Sequence, residues 1–303
     1  MLKRLRLGIR RRPDPAKIRD TANLEVVLPW ALATQGGEVR YPVAYVEFLR
    51  GCLELRRPRI DTVKRPRGGG DRDALRRFSS LLGALASPPP LGLDVARRLA
   101  RFADERLRDS TPMQSGSWAG DIGAHFEMTS SLGHRGRILA TVVRFMGSAR
   151  CLELGTAYGM SALFLLEAMA AHGANGRLTT VEGSDLQFQV ASRLLGERYP
   201  GQVDCRLGWT SVVLPGLVRE IEPVQLLFHD AGHSAKDYTN DFRAALPALA
   251  PGAVVLIDDI DWYDPRFSTE DPRCREGWLE VTRHPRVRWA AELDRALGIA
   301  LLD

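Results

Sequence analysis

Acidic side chains end the apolar segments in the second half of this sequence. Asp230 follows the run LLFH, and Asp258 and Asp259 follow the run GAVVLI. Carboxylates that end neighbouring parallel strands meet at one edge of a sheet, because such strands lie only about 4.8 Å apart. They repel unless a cation joins them, so these three residues predict a site for Mg²⁺ or another divalent cation. Asp258 or Asp259 could instead cap a turn or a helix.

Two basic side chains follow Asp230 closely enough to accept a proton at the same site. They are His233 and Lys236. An imidazole has an unperturbed pKa of about 6.5 and can take a proton near neutral pH, so His233 is the candidate catalytic base and Lys236 the fallback. A hydrogen bond within its own loop is the alternative role for His233.

A glycine-containing turn in CLELGTAYGMSALFL predicts a ligand close to the backbone. Gly155 and Gly159 lie between a strand and a helix, and Glu153 near the strand end could face a cationic ligand group. The spacing is GxxxG and not the GxGxxG of dinucleotide-binding enzymes, which argues against an NAD-dependent dehydrogenase. A tight turn without a ligand would explain this segment alone equally well.

The next apolar run, in GRLTTVEGSD, ends at Glu182. An acidic residue in this position can accept both hydroxyls of a ribose, so a nucleoside-containing ligand explains both segments. The alternative is a surface glutamate that caps the helix starting near Ser184.

From Arg150 onward, short apolar runs alternate with amphipathic stretches, which is typical of strands joined by crossover helices. RVRWAAEL and ALGIALL, joined at Asp294 and Arg295, predict an antiparallel hairpin at the sheet edge. We therefore predict an α/β fold with a doubly wound, mostly parallel, seven-stranded sheet. Five of the strands are expected at Arg150 to Leu154, Arg177 to Val181, Val203 to Leu207, Val224 to Phe228 and Ala253 to Ile257.

Residues 1–120 are expected to form a mostly helical extension, a lid or a dimerisation region, and residues 121–303 the catalytic domain. Helices are predicted at Asp71 to Ala86 and Leu91 to Leu107, after a boundary at Gly68 to Gly70. Residues 1–120 carry 24 Lys and Arg against 13 Asp and Glu, and the rest carry 18 against 24. Such a basic half could attract RNA, although solvated basic faces are commoner.

Composition restricts the other possibilities. No apolar run reaches the roughly 20 residues of a membrane span, and the basic start lacks the apolar segment of a secretory signal. A cytoplasmic protein is therefore expected. The four cysteines form no CxxC pair, so neither a disulfide framework nor a cysteine zinc site is predicted.

Together these segments resemble the class I S-adenosylmethionine-dependent methyltransferases, particularly the catechol-type and related metal-dependent O-methyltransferases. LELGTAYGMSAL is similar to their first motif, and FHDAGHSAKDY with LIDDIDW to their two metal-bearing strand ends. MTSSLGHRGRILATVVRFMGSA resembles the helix that precedes the first motif, with Met128 near the cofactor. His233 stands where the catechol-type enzymes place a lysine base, and the family often has Asn at the position of Asp259.

The resemblance implies a role for each matching residue. Glu182 would bind the ribose, while Asp230, Asp258 and Asp259 would hold the metal. The remaining S-adenosylmethionine contacts would come from Glu153, Gly155, Thr156, Tyr158, Gly159, Ser161 and Asp230, and, around the adenine, from Gly208, Trp209, Thr210 and Ser211.

The expected activity is O-methylation of a small hydroxylated molecule by a homodimer. Trp118, Trp262 and Tyr263 are candidates for an aromatic wall over the acceptor, and are equally well explained as core or interface residues. Two other functions stay open: an RNA methyltransferase that uses the basic half, and a non-catalytic S-adenosylmethionine-binding partner of another enzyme. The HDAGH segment lacks the Asn/Asp-Pro-Pro-aromatic motif of base-nitrogen methyltransferases, and the intact acidic cluster argues against a non-catalytic protein.

Overall fold

The computed structural model describes residues 52, 57–64, 72–115, 118–130, 132–147, 150–171, 173, 176–262 and 273–303. The chain divides into two compact units, of which the first comprises residues 1–54 and 90–134 and the second residues 55–89 and 135–303. The second unit is therefore discontinuous in sequence. The expected division near residue 120 stays a prediction, and the boundary at Gly68 to Gly70 lies outside the described residues.

The second unit is built on a mixed eight-stranded sheet. Its strands are β1 (Ile60–Lys64), β4 (Arg150–Leu154), β5 (Arg177–Glu182), β6 (Val203–Leu207), β7 (Val224–His229), β8 (Leu249–Ile257), β9 (Val287–Leu293) and β10 (Leu297–Leu302). They lie in the order β1-β9-β10-β8-β7-β4-β5-β6. The neighbours among β8, β7, β4, β5 and β6 pair in parallel, whereas β10 pairs antiparallel with β8 and β9, and β1 antiparallel with β9. The predicted α/β sheet with its C-terminal hairpin is confirmed, and β1 adds an eighth strand.

Helices separate the parallel strands, as crossover connections require. The helices of the second unit are α1 (Arg72–Ala86), α4 (Leu132–Met146), α5 (Met160–Ala171), α6 (Asp185–Arg198), α7 (Thr210–Leu217), α8 (Ala235–Ala245) and α9 (Cys274–Arg283). Of α4, only the part from residue 135 onward belongs to this unit. The 3-10 turn Leu246–Ala248 leads from α8 into β8.

Both faces of the central strands are buried, which explains their nearly continuous apolar sequences. β4 buries four of its five residues, and the last five residues of β8 are buried. Leu152 and Val255 pack in one core cluster with side chains of the helices, among them Leu214, Phe242 and Trp278. Burial on both faces fixes the strand register, and the register sets which residues reach the carboxyl edge.

The C-terminal hairpin has a tight turn at Asp294 and Arg295, where both residues have positive φ angles of 53° and 63°. Consecutive left-handed residues match the twist of a two-residue hairpin. The Asp294 Oδ1 atom accepts a hydrogen bond of 2.8 Å from the Arg59 backbone N–H, just before β1. The turn therefore anchors β1 against β9.

The first unit contains α2 (Leu93–Leu107), a hairpin of β2 (Pro112–Ser115) and β3 (Trp118–Asp121), and α3 (Ile122–Thr129). Asp121 caps α3 by accepting a 2.7 Å hydrogen bond from the Ala124 N–H. Phe102 of α2 meets Phe126 of α3 edge to face, with ring centroids 6.0 Å apart. Within the described part of the chain, no helix is both long and apolar enough to cross a membrane.

Candidate functional site

The carboxyl ends of four adjacent parallel strands are joined by backbone hydrogen bonds. The Asp230 N–H donates to Leu154 O at 2.8 Å, which links the ends of β7 and β4. The Asp258 N–H donates to His229 O at 2.9 Å, which links the ends of β8 and β7. Since β5 lies on the other side of β4, residues that follow β5, β4, β7 and β8 converge at one edge, as predicted.

The turn after β4 depends on glycine because another strand end lies against it. Gly155 has a φ of 90°, and a Cβ atom there would collide with the Asp230 backbone carbonyl. Gly159, at φ 85°, completes the turn into α5, and between them Ala157 holds a φ of 45°. A non-glycine residue with positive φ is strained, and such strain is found at functional loops.

Gly155→Ala is expected to lower the free energy of unfolding by at least about 2 kcal/mol, because the added methyl group meets both a positive φ and a backbone atom. Urea denaturation measures the change. Gly196→Ala is the matched control: Gly196 lies in α6 with nothing within 4 Å of the position of a Cβ. That control is expected to stabilise the protein by roughly 0.5–1 kcal/mol. Equal stability of Gly155→Ala and wild type would contradict the close approach.

Glu153 is a buried carboxylate with one free oxygen. Its side chain accepts a 2.6 Å hydrogen bond from Thr180 Oγ1 through Oε2, while Oε1 is buried without a hydrogen-bond partner among the described residues. Burial raises the pKa of Glu153 to about 7, although the hydroxyls of Ser161 and Thr180 act in the opposite direction. A buried acceptor without a partner is costly unless a ligand donates to it, so Glu153 is suited to a cationic group.

Glu182 ends β5 and fixes the neighbouring loops. Its two carboxylate oxygens accept hydrogen bonds of 2.7 Å from the N–H groups of Ala157 and Ser184. Burial raises the pKa of Glu182, and these backbone hydrogen bonds oppose the rise. The carboxylate therefore has a fixed orientation at the strand end, where a ribose was predicted.

The loop after β6 carries an exposed aromatic ring. The Trp209 side chain is 72% exposed and lies against Gly183, whose absent side chain leaves the ring its space. The Gly208 N–H donates to Glu182 O at 2.8 Å, which brings the loop next to the end of β5. Thr210 and Ser211 are the first residues of α7. The loop that was predicted to contact the adenine therefore lies next to Glu182, where the ribose was predicted.

Among the residues that the structure describes, Asp230, His233 and Asp259 form a group that could hold a metal ion. One ligand atom from each residue lies within 4.8 Å of the other two. The His233 Nε2 atom is 3.3 Å from Asp259 Oδ2, and the Trp262 ring lies 5.5 Å from the imidazole. Asp259 has a φ of 52°, which aspartate tolerates better than most residues. Two of the three predicted carboxylates thus converge, together with the predicted base.

Asp258, the third predicted metal ligand, is paired with an arginine that sequence reasoning did not find. Its Oδ1 atom is 2.6 Å from Arg135 Nη1 and also accepts the Asp259 N–H at 2.8 Å. Arg135 Nη2 is 3.9 Å from Asp259 Oδ1. Burial raises the pKa of Asp258, and the charge of Arg135 opposes the rise. Burial alone would raise the pKa of Asp259 too, but His233 and Arg135 bring it below its usual value.

A buried polar network supports the loop that carries Asp230 and His233. His229 Nε2 lies 3.1 Å from Asp241 Oδ2, and the Ala231 N–H donates to His229 Nδ1 at 3.4 Å. The Tyr238 hydroxyl donates to Asp258 O at 2.7 Å. Because these partners lie in β7 and α8 or directly after β7 and β8, the loop is tied to rigid elements.

The remaining predicted site residues differ in position. Lys236 lies in the first turn of α8 with an exposed side chain. Thr156 and Tyr158 are buried, and the Thr156 hydroxyl lies 2.5 Å from that of Thr180. The backbones of Met128 and Trp118 belong to the first unit, and their side chains, like Tyr263, lie outside the described residues.

Comparisons with known proteins cover the same segment. Residues 152–260 match a family described as a methyltransferase domain. A protein of Niastella koreensis described as a catechol O-methyltransferase is 30% identical over 169 residues, which are 54% of this chain and 68% of that protein. The structure of an O-methyltransferase from Bacillus cereus in complex with SAH aligns with a TM-score of 0.51 and 19% identity, over 70% of this chain and 92% of that one. The acidic residues of the candidate site, from Glu153 to Asp259, all lie within the matched segment.

Proposed function

Because this chain belongs to the class I S-adenosylmethionine-dependent O-methyltransferases, we propose that it methylates a hydroxyl of a small molecule with the help of a divalent metal ion. The observation that carries the proposal is the convergence of Asp230, His233 and Asp259 beside the edge that holds Glu153 and Glu182. This arrangement supports donor binding and acceptor activation at neighbouring strand ends.

The donor side is supported by the two buried glutamates. The unpartnered Glu153 Oε1 suits the amino group of the methionine portion, and Glu182 suits the ribose hydroxyls. Glycine at position 155 leaves the backbone open to a close ligand. Trp209 offers an exposed face for the adenine ring.

The acceptor side is supported by the donor set of the acidic group. Carboxylate oxygens are ordinary ligands for divalent ions, so Asp230 and Asp259 would hold the metal, with His233 beside them. A divalent ion bound to a substrate oxygen orients that oxygen and lowers the pKa of its hydroxyl. The exposed Trp262 beside His233 supports an aromatic acceptor, such as a catechol-like ring, stacked near the site.

Two residues are proposed to take the acceptor proton. The His233 Nε2 atom lies 3.3 Å from Asp259 Oδ2, so the carboxylate can orient the imidazole. Lys236, three residues further in α8, is the second candidate. We also propose a cytoplasmic homodimer in which residues 1–120 act as a lid or dimer contact; light scattering on the purified protein tests the dimer.

Removal of the metal is expected to stop turnover without releasing the methyl donor. Dialysis against EDTA should reduce methyl transfer to a panel of hydroxylated aromatic compounds by at least about 10³-fold, since a metal contributes several kcal/mol to such steps. Addition of a divalent ion should restore the rate. Tryptophan quenching should show S-adenosylmethionine affinity unchanged within about threefold, because the glutamate side of the edge is separate. Full turnover by protein shown by elemental analysis to be free of metal would remove the metal from the proposal.

A further inference from the structure

We infer that Arg135 and His233 decide which ion the site accepts: Arg135 keeps Asp258 out of the ligand set, His233 enters it, and the site prefers a transition-metal ion over Mg²⁺. The inference rests on the metal-assisted reaction proposed above. The inference concerns the residues that bind the ion, not the methyl transfer itself. An experiment can therefore contradict the inference and leave the proposed reaction intact.

Arg135 forms an ion pair with Asp258 that would have to break before Asp258 could bind a metal ion. The ion pair is short, at 2.6 Å, and both partners are shielded from water, with side-chain exposures of 22% for Arg135 and 6% for Asp258. The same Oδ1 atom also accepts the Asp259 N–H. Breaking a buried pair leaves an uncompensated charge, which costs several kcal/mol. Asp258 is accordingly absent from the group whose ligand atoms converge.

His233 already lies at the distance expected between two ligands of one ion. Atoms bound at about 2.1 Å to the same metal are about 3.0–3.4 Å apart at angles of about 90–110°. The 3.3 Å between His233 Nε2 and Asp259 Oδ2 falls in this range and is long for a hydrogen bond. Asp259 turns Oδ1 towards Arg135 and Oδ2 towards His233, so its two oxygens serve different partners.

The resulting donor set consists of two carboxylates and one imidazole. Carboxylates suit Mg²⁺, Ca²⁺ and Mn²⁺, whereas imidazole suits the later transition metals, whose affinity for a given site rises from Mn²⁺ to Co²⁺ and beyond. Had Asp258 been the third ligand, the set would contain oxygen alone and would suit Mg²⁺. The exchange of one carboxylate for one imidazole therefore changes the preferred ion.

This arrangement also limits what His233 can do. An imidazole nitrogen has one lone pair, so Nε2 bound to a metal cannot take a proton from the acceptor. In the metal-loaded enzyme the base role then falls to Lys236 or to solvent, and His233 acts as a ligand.

The test is metal binding to the EDTA-treated full-length protein, without substrate. Calorimetric titration is expected to give a Kd for Co²⁺ and for Mn²⁺ at least about tenfold below that for Mg²⁺. Pulsed EPR of the Mn²⁺ complex is expected to show coupling to one ¹⁴N nucleus, which needs no variant. In His233→Gln this coupling should disappear. The affinity for Co²⁺ should also fall, and the loss should exceed the roughly 10- to 100-fold that is typical when only an outer-sphere partner of a metal is removed.

Two variants test whether Arg135 keeps Asp258 from binding the metal ion. Arg135→Gln should free Asp258 and tighten Mg²⁺ binding by about tenfold, while Arg135→Lys keeps the charge and should leave the ion preference unchanged. Near-UV circular dichroism verifies that each variant is folded. Mn²⁺ bound without nitrogen coupling, coupling that survives in His233→Gln, or equal affinity for Mg²⁺ and Co²⁺ would overturn the inference while leaving an EDTA-sensitive methyltransferase intact. Absence of any metal binding would overturn both.

Discussion

Asp230→Ala is expected to abolish methyl transfer, by at least about 10³-fold in kcat/KM, because it removes a central ligand from the proposed metal position. S-adenosylmethionine binding, measured by tryptophan quenching, should weaken far less than turnover, because Asp230 is one of several residues expected to contact the methyl donor. The pair of results would separate acceptor activation from donor binding. Asp261→Ala is the matched control, because Asp261 is an exposed acid on the loop after β8; it should keep full activity.

Loss of activity in Asp230→Ala should not come from unfolding. Burial, together with the charges of Asp258 and Asp259, holds the pKa of Asp230 well above its usual range. An acid with a raised pKa destabilises the metal-free folded state once it ionises, so its removal should maintain or increase stability at neutral pH. Urea denaturation in EDTA checks this. If the Asp230→Ala variant kept more than a tenth of wild-type turnover, Asp230 could not be an essential metal ligand.

Glu153→Gln is expected to weaken S-adenosylmethionine binding on the order of 100-fold, because a neutral amide cannot compensate the charge of a buried ammonium group. The isosteric amide can still accept the hydrogen bond from Thr180, so the shape of the site should persist. Calorimetry measures the Kd. Glu197→Gln, which changes an exposed glutamate of α6, is the control and should bind normally.

The same variant should be more stable than wild type at high pH when no cofactor is bound. The pKa of Glu153 is raised from 4.5 to about 7 in the fully buried site. Below pH 4.5 the carboxyl is protonated in both the folded and the unfolded state, and wild type loses stability as pH rises through about 7. A difference of this size corresponds to roughly 3 kcal/mol. The free energy of unfolding of Glu153→Gln relative to wild type, measured in urea, should therefore be higher at pH 9 than at pH 5. A constant difference across that range would mean that Glu153 titrates normally.

Regular features of this fold follow from sequence because they depend on local pattern. The strands Arg150–Leu154 and Val203–Leu207 have the predicted bounds, since apolar runs flanked by turn residues mark buried strands. The convergence of acids at the carboxyl edge follows as well, because parallel strands present their ends on the same side. Glu153, Glu182 and Asp230 reach that edge as expected.

Features that depend on distant partners did not follow from sequence. Arg135 lies in α4, far before Asp258 in the chain, and no local pattern identifies it as a partner. β1 stands in a polar, arginine-rich stretch typical of a linker, and only its pairing with β9 makes it a strand. Asp258 and Asp259 are adjacent, yet the positive φ of Asp259 turns their side chains to different partners, Arg135 and His233.

The discontinuous second unit suggests how a shorter protein that keeps the whole eight-stranded sheet could be engineered. β1 covers the outer edge of β9, and Phe78 of α1 stacks on Trp289 with ring centroids 5.8 Å apart. A shortened protein beginning at residue 121 would lose both and expose a strand edge, which invites aggregation. An internal deletion of residues 90–134 keeps them. The Arg137 guanidinium donates to the backbone oxygens of Pro88 and Pro89, so a short flexible linker can span the gap.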